Sequence, residues 1–149
     1  MFRRKTLTLN GGQVTEGDIR NDMGDVALGV VTSHHYSASH PSAMNKKFVE
    51  AFAKANDGKR ANYMAVAAYD GMHIIYNALR TTNGGTGDTL LAAMKGQTFE
   101  SPRGQILINA QKRDIVQDVY IRKVERKDGQ LYNMEFETLK SVEDPGRNK

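Results

Sequence analysis

The sequence predicts an α/β fold, and three observations indicate it. Residues 64–79 are an apolar stretch at helical spacing, with apolar side chains on every face of the helix. Three helical segments follow one another in the middle of the chain without an intervening strand. Three β-forming runs then complete the sequence, and an Asp-Gly turn between the last two is typical of a tight hairpin.

The N-terminal part is expected to contain a strand, a short helix and a second strand. Residues 7–9 form a short strand candidate that ends at Asn10-Gly11-Gly12, and Thr15 can cap a short helix that stops at Gly24. Residues 26–32 lack the alternation of a half-exposed strand, so we expect a buried strand there.

The middle of the chain predicts three helices. Ser42 is expected to cap a helix that runs to Ala55, since apolar residues recur at the spacing that lines one face. The apolar helix follows at residues 63–80, and Asp88 is expected to cap a last short helix closed by Gly96. Because the apolar helix has no polar face, it should lie inside a larger body that covers it on several sides.

The C-terminal part predicts antiparallel strands. Residues 105–108, 116–124 and 131–139 each contain a β-forming run, and the turn at residues 127–130 should join the last two. Residues 144–149 are expected to form a frayed tail.

Composition restricts the possible functions of the chain. In its 149 residues, 39% hydrophobic and 26% charged, no window approaches the roughly 20 apolar residues of a membrane span. Without cysteine it has no disulfide and no thiolate nucleophile. The net charge is +4, but basic residues alternate with acids, so we interpret residues 122–128 as a solvated strand edge and expect no nucleic-acid partner. The basic start is followed by too short an apolar stretch for export, so we expect no export signal in this chain.

No pattern of residues in the chain argues for catalysis. It contains neither a Gly-x-Ser-x-Gly turn nor a His-Glu-x-x-His helix, so we expect no enzymatic activity and no cofactor. His34, His35 and His40 are close in sequence, but adjacent histidines of an extended strand point to opposite faces and no acid lies nearby. A metal site is therefore disfavoured, and His73 is interpreted as a core residue of the apolar helix.

Two features could contact a ligand or support a site. The turn Asn10-Gly11-Gly12 follows a strand and precedes a helix, so its backbone N–H groups could meet a polar or anionic group. Asp70 is the one acid of the apolar helix, and a buried carboxylate without partners costs on the order of several kcal/mol. We favour its satisfaction by a neighbouring loop or a lysine over direct ligand contact.

A series of short motifs covers nearly the whole chain in a distinctive order. They are Asn10-Gly11-Gly12, Met23-Gly24-Asp25, Ala27-Leu28-Gly29 through Tyr36, the Phe48 to Phe52 helix, Ala68-Tyr69-Asp70-Gly71, Ala92-Ala93-Met94-Lys95-Gly96, Ser101-Pro102-Arg103-Gly104 and Val119-Tyr120-Ile121. In order and spacing the series resembles the C-terminal third of the substrate-binding proteins of branched-chain amino-acid ABC transporters.

The resemblance implies a type I periplasmic binding fold, in which two three-layer α/β lobes close on a small ligand, and implies that this chain is a C-terminal fragment of it. Residues 1–36 would end the second lobe's main run, residues 37–115 would return to the first lobe, and residues 116–149 would cross back. The implied partners are a small-molecule solute, an ABC permease and the missing N-terminal portion of the same protein. The implied location is the periplasm.

The resemblance also implies a set of candidate site residues. Family members usually place a Glu after the first strand to meet the ligand ammonium, whereas this chain has Gln13, so amides, carboxylates and aromatic acids become alternatives to an α-amino acid. Asp70 is assigned to fixing the start of the apolar helix. The candidate ligand contacts are Gly12, Gln13, His35, Tyr36, Tyr63 and Tyr69; for the tyrosines and His35, hinge or core packing remains an equal alternative.

Two other functions remain open on the sequence. The same two-lobed fold serves ligand-sensing regulators, for example of amides. The chain could also be an autonomous α/β assembly module, in which case exposed apolar helix faces would predict a homo-oligomer.

Overall fold

The computed structural model describes residues 9–16 and 22–145, which form a six-stranded sheet and three α-helices. This confirms the predicted α/β class. The strands are β1 (Leu9–Gly11), β2 (Val31–His34), β3 (Thr98–Ser101), β4 (Gly104–Ile108), β5 (Ile115–Lys127) and β6 (Gln130–Val142), and the helices are α1 (Ala43–Ala55), α2 (Tyr63–Thr81) and α3 (Gly87–Met94). Two 3-10 turns, Gly12–Thr15 and Gly24–Ala27, flank the first two strands.

The sheet is organised around the long strand β5. Strands β1 and β2 are parallel, whereas the other pairings are antiparallel. Strand β4 pairs with residues 115–117 of β5, and β2 pairs with residues 120–123. Since β6 pairs along β5 from residue 117 to residue 127, β2 and β4 must share the opposite edge of β5.

Two of the predicted helix starts can be compared with observed caps. The Ser42 Oγ accepts the backbone N–H of Asn45 at 3.0 Å, as predicted for the N-cap of α1. The predicted cap of α3 is wrong: Thr86 occupies the N-cap position, and Asp88 lies in the first turn of the helix. A carboxylate in that turn still interacts favourably with the helix dipole.

The predicted strand over residues 26–32 is wrong in its first half. Residues Gly24–Ala27 form a 3-10 turn, and Gly24 and Gly29 have φ angles of +59° and +80°, which an extended strand does not contain. Strand β2 begins only at Val31 and continues through Ser33 and His34, two residues beyond the predicted end.

The predicted hairpin at residues 127–130 is confirmed. Strands β5 and β6 pair from Lys127 opposite Gln130, with Asp128 and Gly129 as the two loop residues. Both loop residues have positive φ, +50° and +76°, as the two-residue turns of tight hairpins require.

Helix α2 is covered on one side only by the described residues. It buries Val66, Asp70 and Ala78, whereas Met64, Met72 and Tyr76 are 62%, 43% and 54% exposed. The expected cover on several sides is therefore not supplied by the described part of the chain. None of its helices combines the length and the apolar character that crossing a membrane would need.

Candidate functional site

The carboxyl ends of β1 and β2 lie side by side. The parallel register places Leu9 opposite Val31 and Gly11 opposite Ser33. Gly12 and Gln13 directly follow β1, and His35 directly follows β2. Ligands of α/β sheets bind outside the carboxyl ends of parallel strands, so this edge of the sheet is the candidate site.

An aromatic cluster, formed by His34, His35 and Tyr63, occupies this edge. The imidazole rings of His34 and His35 stack with their centroids 4.3 Å apart. Tyr63, the first residue of α2, meets both rings edge-on, at 5.0 Å from His34 and 6.2 Å from His35. The expectation that the two histidines point to opposite faces is wrong, because β2 ends at His34 and the extended conformation ends with it.

Gly12 makes room for the His34 side chain. A Cβ added at Gly12 would lie 2.2 Å from the His34 Cδ2 and 2.5 Å from its Cβ, closer than real contacts allow. Gly12 is itself buried, whereas Gln13 is exposed to solvent beside it. The turn after β1 and the ring at the end of β2 therefore fit together only with glycine at position 12.

Both imidazoles of the cluster are held in their neutral form. Burial lowers the pKa of His34 to about 3, with further lowering by His35 and by the Arg122 and Arg103 guanidiniums. Burial also lowers the pKa of His35 to about 4, again with the two guanidiniums contributing. A neutral imidazole both donates and accepts one hydrogen bond, so the cluster can pair with groups that do the same.

Arg122 binds the loops around the cluster through hydrogen bonds and an ion pair. Its guanidinium donates to the carbonyl oxygens of Tyr36 and of Gly12, the latter at 3.2 Å, and to Thr32 Oγ1 at 3.2 Å. It also pairs with the Glu16 carboxylate at 2.9 Å. The side chain is fully buried, so the interpretation of residues 122–128 as a solvated edge is wrong at Arg122.

The structure separates Tyr36 and Tyr69 from this cluster. Tyr36 is fully buried and its hydroxyl donates to Asn45 Oδ1 at 3.0 Å, so its side chain packs beneath α1. Tyr69 packs against Phe48 and His73, with centroids 5.1 and 4.3 Å away. Of the predicted site residues, the structure therefore brings together Gly12, Gln13, His35 and Tyr63.

Asp70 joins α2 to the turn between β3 and β4. Its Oδ2 accepts from Arg103 Nε at 2.7 Å, and both side chains are almost fully buried. Burial raises the pKa of Asp70, and the guanidinium opposes this rise. The donor is thus an arginine side chain in a neighbouring turn and not a lysine. The helix start itself is fixed by Asn62, whose side chain accepts from the N–H groups of Met64 and Ala65, so the assignment of that role to Asp70 is corrected.

The remaining histidines have protein partners of their own. His40 pairs with Glu135, with 2.7 Å between Nδ1 and Oε2, although no acid lies near it in sequence. His73 lies against Tyr69 and Phe99. Within residues 9–16 and 22–145, no group of three potential metal ligands is found.

Two participants of the site were not singled out in the sequence. His34 was weighed only as a metal ligand, and Arg122 was interpreted as solvated. The sequence did contain a signal for Arg122. Tyr120, Arg122 and Val124 are spaced two residues apart in β5, so their side chains point to the same buried face of the strand.

Comparisons with known proteins agree with the fold and extend beyond it. Residues 2–130 match the family model of the periplasmic binding proteins. The chain is 41% identical over 139 residues to Leu/Ile/Val-binding protein homolog 6 of Brucella abortus (strain 2308), an alignment that covers 91% of this chain and 35% of that protein. The chain thus spans about a third of the length of this curated relative.

Solved structures of similar chains are solute-binding proteins of ABC transporters. One, from Rhodopseudomonas palustris BisB5 in complex with 3,4-dihydroxybenzoic acid, is 56% identical with a TM-score of 0.89, over 93% of this chain and 38% of that chain. Another, from Rhodopseudomonas palustris HaA2 in complex with p-hydroxybenzoic acid, is 37% identical with a TM-score of 0.86, over 94% and 39%. The predicted resemblance is confirmed, and the chain belongs to the periplasmic binding protein family, among the substrate-binding proteins of ABC transporters.

Proposed function

We propose that this chain is part of the solute-binding component of an ABC importer and that its site binds a small aromatic carboxylate. The observation that carries the proposal is the aromatic cluster of His34, His35 and Tyr63 at the carboxyl ends of two parallel strands. Flat rings of this kind stack on a benzoate ring or meet its edge. The relatives solved with hydroxybenzoic acids, at 56% and 37% identity, support this ligand class.

The charges at the site argue against an α-amino acid as the ligand. Gln13 is neutral, and the nearby Glu16 is engaged by Arg122 at 2.9 Å. Among the described residues at this site, the ammonium of an amino acid would therefore find no free carboxylate, and a buried unpaired charge is strongly unfavourable. A carboxylate ligand carries no ammonium and does not meet this cost.

The rest of the two-lobed protein would supply the other wall of the site. We assign residues 1–36 to the second lobe, residues 37–115 to the first lobe and residues 116–149 to the return. The pairing of β5 supports the last boundary, because β4 binds its first three residues and β2 binds it from residue 120 onward. The missing N-terminal portion of the same protein would cover the exposed face of α2. The importer's permease would be the membrane partner, and the periplasm the location.

A ligand panel tests the proposal on the two-lobed protein that contains this chain. We expect benzoate-type acids to raise the midpoint of thermal unfolding and to give calorimetric binding isotherms, because only a ligand that prefers the folded form stabilises it. Leucine, valine and benzamide serve as comparisons and should shift the midpoint little. A response to leucine with none to the aromatic acids would contradict the proposed ligand class.

The exposed face of α2 favours assembly as a second candidate function. Met64, Met72 and Tyr76 lie on one side of the helix and could pair with a second copy. Sedimentation of the two-lobed protein separates the possibilities. We expect a monomer, and a dimer disrupted by Met72→Lys would favour assembly through this face.

A further inference from the structure

We infer that the stacked pair His34 and His35 selects aromatic acids that carry a ring hydroxyl group, by hydrogen bonding of the imidazole nitrogens to that hydroxyl. The inference rests on the proposed function and goes further, since binding of an aromatic carboxylate does not require a hydroxyl group. The structural basis is a polar atom of His34 that the protein leaves unused.

The Nδ1 atom of His34 is buried and has no hydrogen-bond partner among the described residues. Such atoms are rare in folded proteins, and each one requires an explanation. The ring cannot easily turn toward another partner, because His35 stacks on it at 4.3 Å, Tyr63 meets its edge at 5.0 Å and Gly12 packs against its Cβ and Cδ2. The arrangement therefore holds a hydrogen-bonding ring in place and leaves one of its nitrogens unpaired among the described residues.

The chemistry of the pair suits a phenolic hydroxyl better than a carboxylate. Both imidazoles are neutral at physiological pH, so each offers one donor and one acceptor. A phenol also offers one donor and one acceptor. A carboxylate accepts only, and it pairs best with a cationic donor.

The two guanidiniums near the histidines are already committed to protein groups. Arg103 donates to Asp70 and Gln117, and Arg122 donates to Glu16, Thr32 and two backbone carbonyls. Together with burial, which is the larger cause, they keep the imidazoles neutral, without forming the carboxylate contact at this position. The ligand's carboxylate is then expected to face the other lobe, with its ring hydroxyl toward the histidines.

Calorimetry on the two-lobed protein compares benzoate, 3-hydroxybenzoate and 4-hydroxybenzoate. In the unaltered protein we expect at least one hydroxybenzoate to bind about tenfold more tightly than benzoate, the effect of one well-formed buried hydrogen bond. His34→Phe and His35→Phe keep a flat ring but remove the nitrogens. In these variants the ratio of hydroxybenzoate affinity to benzoate affinity should fall toward one, whatever happens to benzoate affinity itself.

His73→Phe is the matched control, because His73 is also half-buried against aromatic rings but lies away from the cluster. It should leave the ratio unchanged. Circular dichroism checks folding, and if His34→Phe does not fold, His35→Phe decides the question. Retention of the ratio in the folded histidine variants would overturn the inference.

Failure of the inference is distinguishable from failure of the proposed function. Equal affinity of the unaltered protein for benzoate and both hydroxybenzoates would overturn hydroxyl selection and leave aromatic-acid binding intact. Absence of binding of all three acids would overturn both.

Discussion

Two buried arginines, Arg103 and Arg122, hold different halves of the molecule together. Arg103 lies in the turn between β3 and β4 and donates to the side chains of Asp70 on α2 and Gln117 on β5. Arg122 lies within β5 and reaches the loops after β1 and β2. Their exposed fractions are 6% and 0%, and each has one carboxylate partner within 3 Å.

The two arginines differ in the other groups to which they donate hydrogen bonds. Arg103 donates to side chains, which a mutation can replace together with it. Arg122 also donates to the backbone carbonyls of Gly12 and Tyr36, which no substitution removes. An ion pair between side chains can often be exchanged for apolar residues, whereas an arginine that satisfies backbone groups cannot. We therefore expect removal of Arg122, which holds the loops after β1 and β2, to cost more stability than removal of Arg103.

The largest effect is expected from Arg122→Met. The substitution leaves Glu16 and two buried carbonyls without their donor, so the free energy of unfolding should fall by about 3–5 kcal/mol. Urea unfolding measures the loss. Lys123→Met, at a half-exposed neighbour on the same strand, is the control and should change stability by less than about 0.5 kcal/mol. Equal losses in the two variants would contradict the role given to Arg122.

Paired substitutions test whether the two arginines really differ. Arg103→Met alone should lose about 3 kcal/mol, because it leaves the Asp70 carboxylate buried without its partner. Adding Asp70→Leu should bring stability back to within about 1 kcal/mol of the unaltered protein, as for other buried pairs replaced by apolar residues. Adding Glu16→Leu to Arg122→Met should not restore stability. A similar recovery of stability in both double variants would show that the two arginines do not differ in this way.

Gly12→Ala tests the contact between the ligand-side loop and His34. The new methyl group would lie 2.2 Å from the imidazole Cδ2, so it must displace the ring or the loop, at about 1–3 kcal/mol. We expect weaker binding of aromatic acids in calorimetry. Gly11→Ala is the matched control, since nothing lies within 4 Å of a Cβ at Gly11. A loss of affinity in both variants would point to the backbone and not to the ring.

Gln13→Glu is expected to have a smaller effect, on ligand preference. A carboxylate beside the site should favour α-amino acids over aromatic acids by about fivefold or less, because Gln13 is exposed and water screens its charge. Competition binding measures the change, with Gln111→Glu in a distant exposed turn as the control. An unchanged ligand preference would show that Gln13 does not contribute to ligand selection.

Near neutral pH, the smallest effect is expected from protonation of His34 and His35. The pKa values of His34 and His35, about 3 and about 4 in the folded protein, lie below the ordinary value of 6.5. Between these values the unfolded chain binds protons that the folded chain does not, so the free energy of unfolding should decrease as the pH falls from 6.5 toward 4. Because few protons are bound near neutral pH in either state, most of the decrease should appear below pH 6.

Denaturant midpoints measured from pH 7 to pH 4 check the pH effect. A variant with phenylalanine at both histidine positions should show a flatter dependence than the unaltered protein. The same slope in both proteins would assign the acid sensitivity to other groups.

Local sequence signals predicted the parts of the fold whose causes are local. Ser42 caps a helix through its own side chain, and the loop of Asp128 and Gly129 needs only two residues that tolerate positive φ. The strand predicted over residues 26–32 failed in its first half because Gly29 adopts a positive φ, which composition and hydrophobicity do not reveal. The α/β class followed from the order of elements and did not depend on these boundaries.

The site required information that is not local. Glu16 and Arg122 are 106 positions apart, so their pairing depends on the sheet register and not on any motif. No local signal indicated that Asp70 pairs with Arg103, although Arg103 lies within a motif that carried the resemblance. The aromatic cluster was only half predicted, since His35 and Tyr63 were chosen from the resemblance and the orientation of His34 depends on where β2 ends.

Strand β5 has a mechanical consequence for the whole molecule. It carries β4 and then β2 along one edge, and the register shifts between residues 117 and 119, at the junction of the two. An extended backbone resists elongation but twists readily, and a bulge increases the local twist. The two halves of the sheet should therefore turn about the axis of β5 and not slide apart, with the long β6 ladder setting the torsional stiffness.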